Sequence, residues 1–358
     1  MDNENGTQPI KYLVGKIIGG LITFITVIGI IIGILADIHD IKDNPNSPVI
    51  DTTQIATEVN ESTEAIETKV DYVLKDELET TNAFDADFYN NQGLDYYKAG
   101  DYYKAIEDLT KTIEIDSEKV DAYYTRGMAY IKVKNYEESI KNFDIVIKLD
   151  PRNKHGYFHL AYAYVELGEY IKGVKYYTIA IEFDLDFAEA YNNRGFAYRN
   201  LNEYTKAIED FTRAIELDDK YASAYSNRGT AYYNMYKYTE AIADYTKAIN
   251  LDWNDAEIYF NLGASYDELE KYDDAIENYT KAIELGDEHV VTYNNRGIAY
   301  YHMGKYTEAI ADYIKAIELN PEYALAYYNR GYSYEALRMY PEAQADFAKA
   351  HELDPDNY

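Results

Sequence analysis

The sequence predicts an all-α chain, a solenoid of eight antiparallel helix pairs, on three observations. The stretch Ala188–Tyr221 recurs eight times without a gap at a fixed period of 34 residues, and a period of that size marks a stacked helical repeat. Within one copy, Tyr191, Gly195 and Tyr198 fall at i, i+4, i+7, and so do Ala207, Phe211 and Ala214, so each triplet marks one helix face. Polar turns, Asn200–Glu203 and Leu217–Lys220, separate these runs.

The chain divides into a polar tail (1–16), an apolar span (17–36), an acidic linker (37–85) and the repeats (86–119, 120–153, 154–187, 188–221, 222–255, 256–289, 290–323, 324–357). Residues 17–36 hold no charge and at 1.5 Å per residue would span about 30 Å, the thickness of a bilayer core. A transmembrane helix is expected there, because Ile34-Leu35-Ala36 makes a poor signal-peptidase site. Lys11 and Lys16 precede the span, whereas Lys42 follows it among Asp37, Asp40 and Asp43. The positive-inside tendency then makes a single-pass membrane protein with a cytoplasmic N-terminus and extracytoplasmic repeats. Gly29 and Gly33 have the small-residue spacing of a helix-pairing seam, which would allow a homodimer. Asn44–Pro48 breaks the helix, and the acidic, threonine-rich residues 52–80 read as a partly helical spacer.

In the repeats, the positions of Tyr191, Tyr198 and Tyr204 are tyrosine in all eight copies, which absorbs 24 of 43 tyrosines. Gly195 is replaced only by Ala161, and Ala207 only by the small residues Ser139 and Gly173. A larger side chain at either place would hold the paired helices apart. In the last copy, Gln344 and His351 stand where earlier copies have Ile or Val, as expected of a polar cap.

These tyrosine, glycine and alanine positions resemble the tetratricopeptide repeat family, with Tyr for the first aromatic and Arg before the glycine at Arg126, Arg194, Arg228, Arg296 and Arg330. The resemblance covers about three quarters of the chain and implies a right-handed superhelix whose first helices line a concave, ligand-holding groove. The face of the first helix opposite Tyr191, Gly195 and Tyr198 carries Glu189, Asn193, Phe196 and Asn200. The Asn193 position is asparagine also at Asn91, Asn227, Asn261, Asn295 and Asn329, with Thr125 and His159 as exceptions. An amide carries both donor and acceptor, so such a row can bond the backbone of an extended peptide. This ladder resembles that of the repeat domain of O-linked N-acetylglucosamine transferases. Tyr162, Phe196, Tyr233, Tyr301 and Tyr332 vary from copy to copy and are expected to supply specificity as apolar anchors.

Other chemistry finds little footing. A net charge of −30 repels phosphate backbones, so nucleic acid is not an expected ligand. The chain has no cysteine, which excludes disulfides and thiol catalysis. His155 and His159 lie at i, i+4 without a third ligand or the glutamate of HExxH. Each repeat glycine is expected inside a helix between tyrosines rather than in a phosphate loop, and no serine-nucleophile motif appears. Lys98, Lys132 and Arg199 do not complete the two-carboxylate clamp of repeat domains that bind chaperone C-termini. No enzyme activity, cofactor or metal is expected. The expectation is a membrane-tethered scaffold that binds an extended segment of a protein partner. The alternatives are a non-catalytic regulatory subunit of a membrane-associated enzyme and a self-associating spacer.

Overall fold

The computed structural model describes residues 85–358 together with Thr68 and Tyr72. The described residues form sixteen helices and no strand. They alternate as first and second helices of eight pairs: α1 (85–98), α2 (Tyr102–Ile115), α3 (Val120–Lys132), α4 (Tyr136–Leu149), α5 (Lys154–Glu166), α6 (Tyr170–Phe183), α7 (Ala188–Asn200), α8 (Tyr204–Leu217), α9 (Ala222–Asn234), α10 (Tyr238–Ile249), α11 (Ala256–Asp267), α12 (Tyr272–Glu284), α13 (Val290–His302), α14 (Tyr306–Leu319), α15 (Ala324–Ala336) and α16 (Tyr340–Leu353).

Each pair closes on a small residue facing a large one. A Cβ added at Gly195 would stand 2.8 Å from Phe211 Cε1, and one at Gly297 2.7 Å from Tyr313 Cε1. The missing side chain is what lets the ring lie flat against the neighbouring backbone. Ala190, Ala197, Ala207 and Ala214 are fully buried around that contact.

The turn inside each pair needs one residue with left-handed backbone. It falls every 34 residues at Gly100, Lys134, Gly168, Asn202, Tyr236, Glu270, Gly304 and Arg338, all with φ between 58° and 83°. Glycine takes that conformation freely and asparagine with little cost; the others bear strain there. The glycines outside the helix contacts therefore lie in turns, not in helices as the sequence pattern suggested. Between pairs, Asp116, Asp150, Asp184, Asp218 and Asn320 each accept a hydrogen bond from the amide two residues on, a local turn that these side chains favour. Two junctions depart from this: Asp252 takes φ 65° and Gly286 φ 98°.

Sequence inspection treated the arginine before the glycine as a departure; the structure gives it a purpose. Arg194 donates to both oxygens of Asp210 on its partner helix at 2.7 Å, and its third nitrogen donates to Thr178 of the preceding repeat at 3.1 Å. Arg228 repeats this with Asp244 and Thr212, and Arg296 with Asp312 and Thr280. Arg330 grips Asp346 with the same fork. Each such pair is largely buried. A planar guanidinium fork fits a carboxylate in one orientation, so the ion pairs set the angle within a repeat and the threonine ties it to the one before.

The first helices of neighbouring repeats approach each other from α3 to α15, whereas no two second helices do among α2–α16. A row of pairs touching along one side only must bend toward that side. The first helices therefore line the inner face. At the far end, Gln344 and His351 are exposed, in keeping with a cap.

One expectation is corrected. No helix among the described residues is long and apolar enough to cross a membrane. From α2 onward the helices run 12–14 residues, about 20 Å, and carry charges along their outer faces. The single-pass assignment thus has no support in the structure. Residues 17–36, on which it rested, and Gly29 and Gly33, proposed for a homodimer, lie outside the described residues.

Candidate functional site

The inner face carries a cavity of about 370 Å³ spanning the third to sixth repeats. Tyr162, Val165 and Glu166 of α5 form one wall; Asn192, Asn193, Phe196 and Arg199 of α7 form the floor; Ser223, Ser226, Asn227 and Thr230 of α9 form the second wall. The far rim is Trp253, Asp255, Glu257 and Ile258, at the irregular junction after α10. Here Asp252 bends the chain, and Asp255 caps α11 by accepting from the Ile258 amide at 2.8 Å. The departure from the regular turn thus opens the groove at this point.

Four of the residues singled out from sequence, Tyr162, Asn193, Phe196 and Asn227, meet in this cavity. The others do not line it. Asn91 is exposed on α1, and Asn261, Asn295 and Asn329 are half-buried farther along. Tyr233 and Tyr301 are half-buried too, their rings 5.3 and 5.4 Å from Tyr238 and Tyr306. Tyr332 is exposed; its hydroxyl lies 2.9 Å from that of Tyr328 and its ring edges onto Phe347.

The asparagine row is only partly free to bind. Asn192 donates to Asn193 at 3.1 Å and accepts from Asn227 of the next repeat at 3.1 Å. Asn294 stands in the same relation to Asn295 and Asn329, at 3.4 and 3.0 Å. These amides tie neighbouring first helices together. The side-chain amides of Asn91 and Asn261 make no such bond. Asn192 and Asn294 were missed in the sequence because they lie one position off the expected row.

Arg199 is the cation of the cavity. It lies 4.8 Å from the centre of the Phe196 ring and donates to Asn227 at 3.3 Å. Among the described residues no carboxylate pairs with it, although Glu257 lies near, and burial pulls its pKa down against the attraction of that carboxylate. Tyr177 also lines the cavity, fully buried, with a hydroxyl that has no hydrogen-bond partner among the described residues. Asn193 approaches that hydroxyl and eases its burial, which drives the pKa far up, but closes no hydrogen bond within normal geometry.

The two histidines pack against aromatic rings. His159 stacks on Phe143 at 5.5 Å and edges Tyr124 and Phe158, while His155 edges Phe187. Burial, with His155 and Lys132 nearby, pushes His159 down to about 4. Among the described residues no group of three or more metal-ligating side chains converges.

A stack of helix pairs with an inner groove defines a helical-repeat protein. The tetratricopeptide repeat model matches residues 86–119, 120–153, 188–221, 256–288, 290–323 and 324–357, and related repeat models match 155–187, 222–251 and 237–269. The chain belongs to the tetratricopeptide repeat family.

No curated protein matches the sequence. Among solved structures, the chain is similar to the C-terminal part of a repeat protein from Cytophaga hutchinsonii, with TM-score 0.55 and 22% identity over 65% of this chain and 96% of that one. It is also similar to a tetratricopeptide repeat protein from Parabacteroides merdae, with TM-score 0.53 and 19% identity over 72% and 99%. These show the fold alone. YrrB, described as a TPR protein with an unusual peptide-binding site, aligns at TM-score 0.48 and 27% identity over 51% of this chain and 93% of that one.

Proposed function

We propose that this chain is an interaction scaffold that holds an extended segment of a protein partner along the row of its first helices. One observation carries the reading. A cavity of about 370 Å³ draws its walls from four successive repeats and brings Tyr162, Asn193, Phe196 and Asn227 together. A groove that long suits an extended chain better than a compact small molecule. Its lining pairs apolar anchors with amide and hydroxyl groups, the mixture that binding sites use to combine affinity with orientation. The free amide of Asn261 continues the row beyond the cavity.

The test selects binding segments from a random peptide library with the full chain, then measures their affinity for a variant carrying Asn227→Ala, Asn261→Ala and Asn295→Ala. Loss of three amide contacts is expected to weaken binding about ten-fold to a thousand-fold. Unchanged affinity, with helix content preserved, would overturn the amide-ladder part of the reading. Failure to select any segment would overturn the groove itself.

A further inference from the structure

Charge along the groove breaks the repeat pattern at one register. From the fourth to the seventh repeat this position on the first helix carries Arg199, Tyr233, Asp267 and Tyr301. Two opposite charges thus sit two repeats apart, with a tyrosine between them and another beyond.

Neither charge has an ion-pair partner among the described residues. Four other arginines, at 194, 228, 296 and 330, are clasped by a carboxylate; Arg199 has the neutral amide of Asn227 and the Phe196 ring, with Glu257 near but not paired to it. Asp267 is half-buried, and its Oδ1 is shielded from solvent without a hydrogen bond. Burial pushes its carboxyl up to about 6, opposed by nearby His302 and supported by Glu268.

A second observation marks the same two places. Among the described residues, three shielded side-chain polar atoms lack a hydrogen-bond partner: the hydroxyls of Tyr177 and Tyr279 and Oδ1 of Asp267. Tyr177 lines the cavity that holds Arg199. Tyr279 is fully buried, and burial together with the nearby Asp267 carboxylate drives its pKa far up while Asn295 approaches its hydroxyl. Buried polar groups are rarely left unpaired, and here two of the three belong to Asp267 and the nearby Tyr279, while the third lines the cavity that holds Arg199.

We propose that the groove reads a bipolar segment, in which an acidic side chain of the partner seats on Arg199 and a basic one seats on Asp267 between Tyr233 and Tyr301. The Tyr177 hydroxyl donates to the partner's carboxylate. Asp267 Oδ1 and the Tyr279 oxygen accept from its ammonium or guanidinium, which Tyr233 and Tyr301 favour through their ring faces. Packed helices lie about 8–10 Å apart, so two repeats span about 20 Å, or about six residues of extended chain. The net charge of −30 draws the basic end toward the protein, while Arg199 fixes the register against an otherwise acidic surface. This inference rests on the groove reading above and adds the partner's chemistry to it.

The experiment titrates the full chain with short labelled peptides on a Ser/Thr/Val background. One set carries Glu and Arg about six residues apart in either order; others carry Gln in place of either charge, or both charges adjacent. The spaced bipolar peptide in one order is expected to bind at least about ten-fold more tightly than its singly charged versions. Arg199→Glu should abolish the preference for Glu and leave that for Arg, and Asp267→Asn should do the reverse. Equal binding of all peptides, or a ranking that both substitutions leave unchanged, overturns the proposal. If that equal binding is nevertheless lost in the triple asparagine variant, the groove reading stands without the charge rule. If no peptide binds, the charge rule falls, and the library selection decides separately whether the groove does.

Discussion

Residues 154–187 and 188–221 fold into the same helix pair, yet they meet their neighbours by opposite chemistry. The second of these repeats uses ions: Arg194 on α7 forks onto Asp210 of α8 and reaches Thr178 of α6. In the first, the arginine is Leu160, fully buried, and the aspartate is Tyr176, which stacks on Tyr164 at 5.6 Å. The third member changes too, for the position of Thr178 holds Asp144, whose carboxyl burial pushes up. The same exchange recurs at 256–289, with Leu262 and Asn278 for the pair. Two repeats change one half only: Arg126 donates to Asn142 at 2.9 Å, and Asp108, opposite Gln92, accepts from Lys111 at 2.9 Å instead. The frame therefore accepts either chemistry, provided a charge that stays keeps a polar partner. Physical reasoning expects this, because a lone buried charge is costly whereas a buried ion pair and an apolar pair of similar size differ little.

The largest effect should come from breaking that rule. Asp210→Ala leaves the Arg194 guanidinium buried without its carboxylate and is expected to cost about 3–5 kcal/mol, measured by urea unfolding of the full chain and located by hydrogen exchange in α7 and α8. Arg194→Leu combined with Asp210→Tyr imports the pair found at 160 and 176. It is expected to recover most of the loss, leaving a net change of about 1 kcal/mol or less. Equal losses in the single and double variants would show that the ion pair is not what couples the two helices.

The second prediction turns on the aromatic character of the same repeat. His159 replaces the ladder asparagine and is packed among Phe143, Tyr124 and Phe158. Burial pushes its pKa in the folded chain down to about 4, from the ordinary imidazole value of about 6.5. Above pH 6.5 both folded and unfolded forms are neutral there, so it contributes no pH dependence. As pH falls from 6.5 toward 4, the unfolded chain gains a proton that the folded one refuses, and stability drops by up to about 3 kcal/mol. His159→Asn, which restores the residue of the next repeat at Asn193, should remove this component from the pH profile of the unfolding midpoint. A profile that the substitution leaves unaltered would mean His159 is not held neutral.

The contrast also explains what was legible in the sequence. The helix pairs follow from spacing alone, because Tyr191, Gly195 and Ala207 recur in register and a helical face fixes their direction; the inner row of first helices came from the family resemblance. The ion pairs were half visible: Arg194 and Asp210 are 16 residues apart on different helices, and only the joint loss at Leu160 and Tyr176 hints that they belong together. The groove was less legible. Periodicity placed Asn193 and Asn227 on the right face, but it could not tell that Asn192 would take up one amide hydrogen of Asn227, because that bond bridges repeats 35 residues apart. Arg199 drew attention only as an incomplete part of a carboxylate clamp, and Asp267 drew none, for a related reason. What distinguishes them is the lack of a partner in three dimensions, which no spacing encodes.

The smallest effect concerns the contact that closes each pair, where the two repeats exchange a glycine between helices. In 188–221 the glycine is on the first helix: a Cβ at Gly195 would stand 2.8 Å from Phe211 Cε1 and 3.1 Å from the carbonyl oxygen of Ala207. In 154–187 the first helix carries Ala161, and the glycine moves across to Gly173, where a Cβ would stand 2.4 Å from Val165 Cγ2. Each repeat thus has one side chain fewer at the crossing, removed from opposite sides. Gly195→Ala and Gly173→Ala are both expected to cost about 1–3 kcal/mol by overpacking, read from urea unfolding midpoints. Gly173→Ala should be the milder of the two, since Val165 lines the groove and has space to turn into, whereas the Phe211 ring is fully enclosed. The reverse order would place the tighter crossing in the aromatic repeat and locate the rigid part of the groove wall at α5 rather than α7.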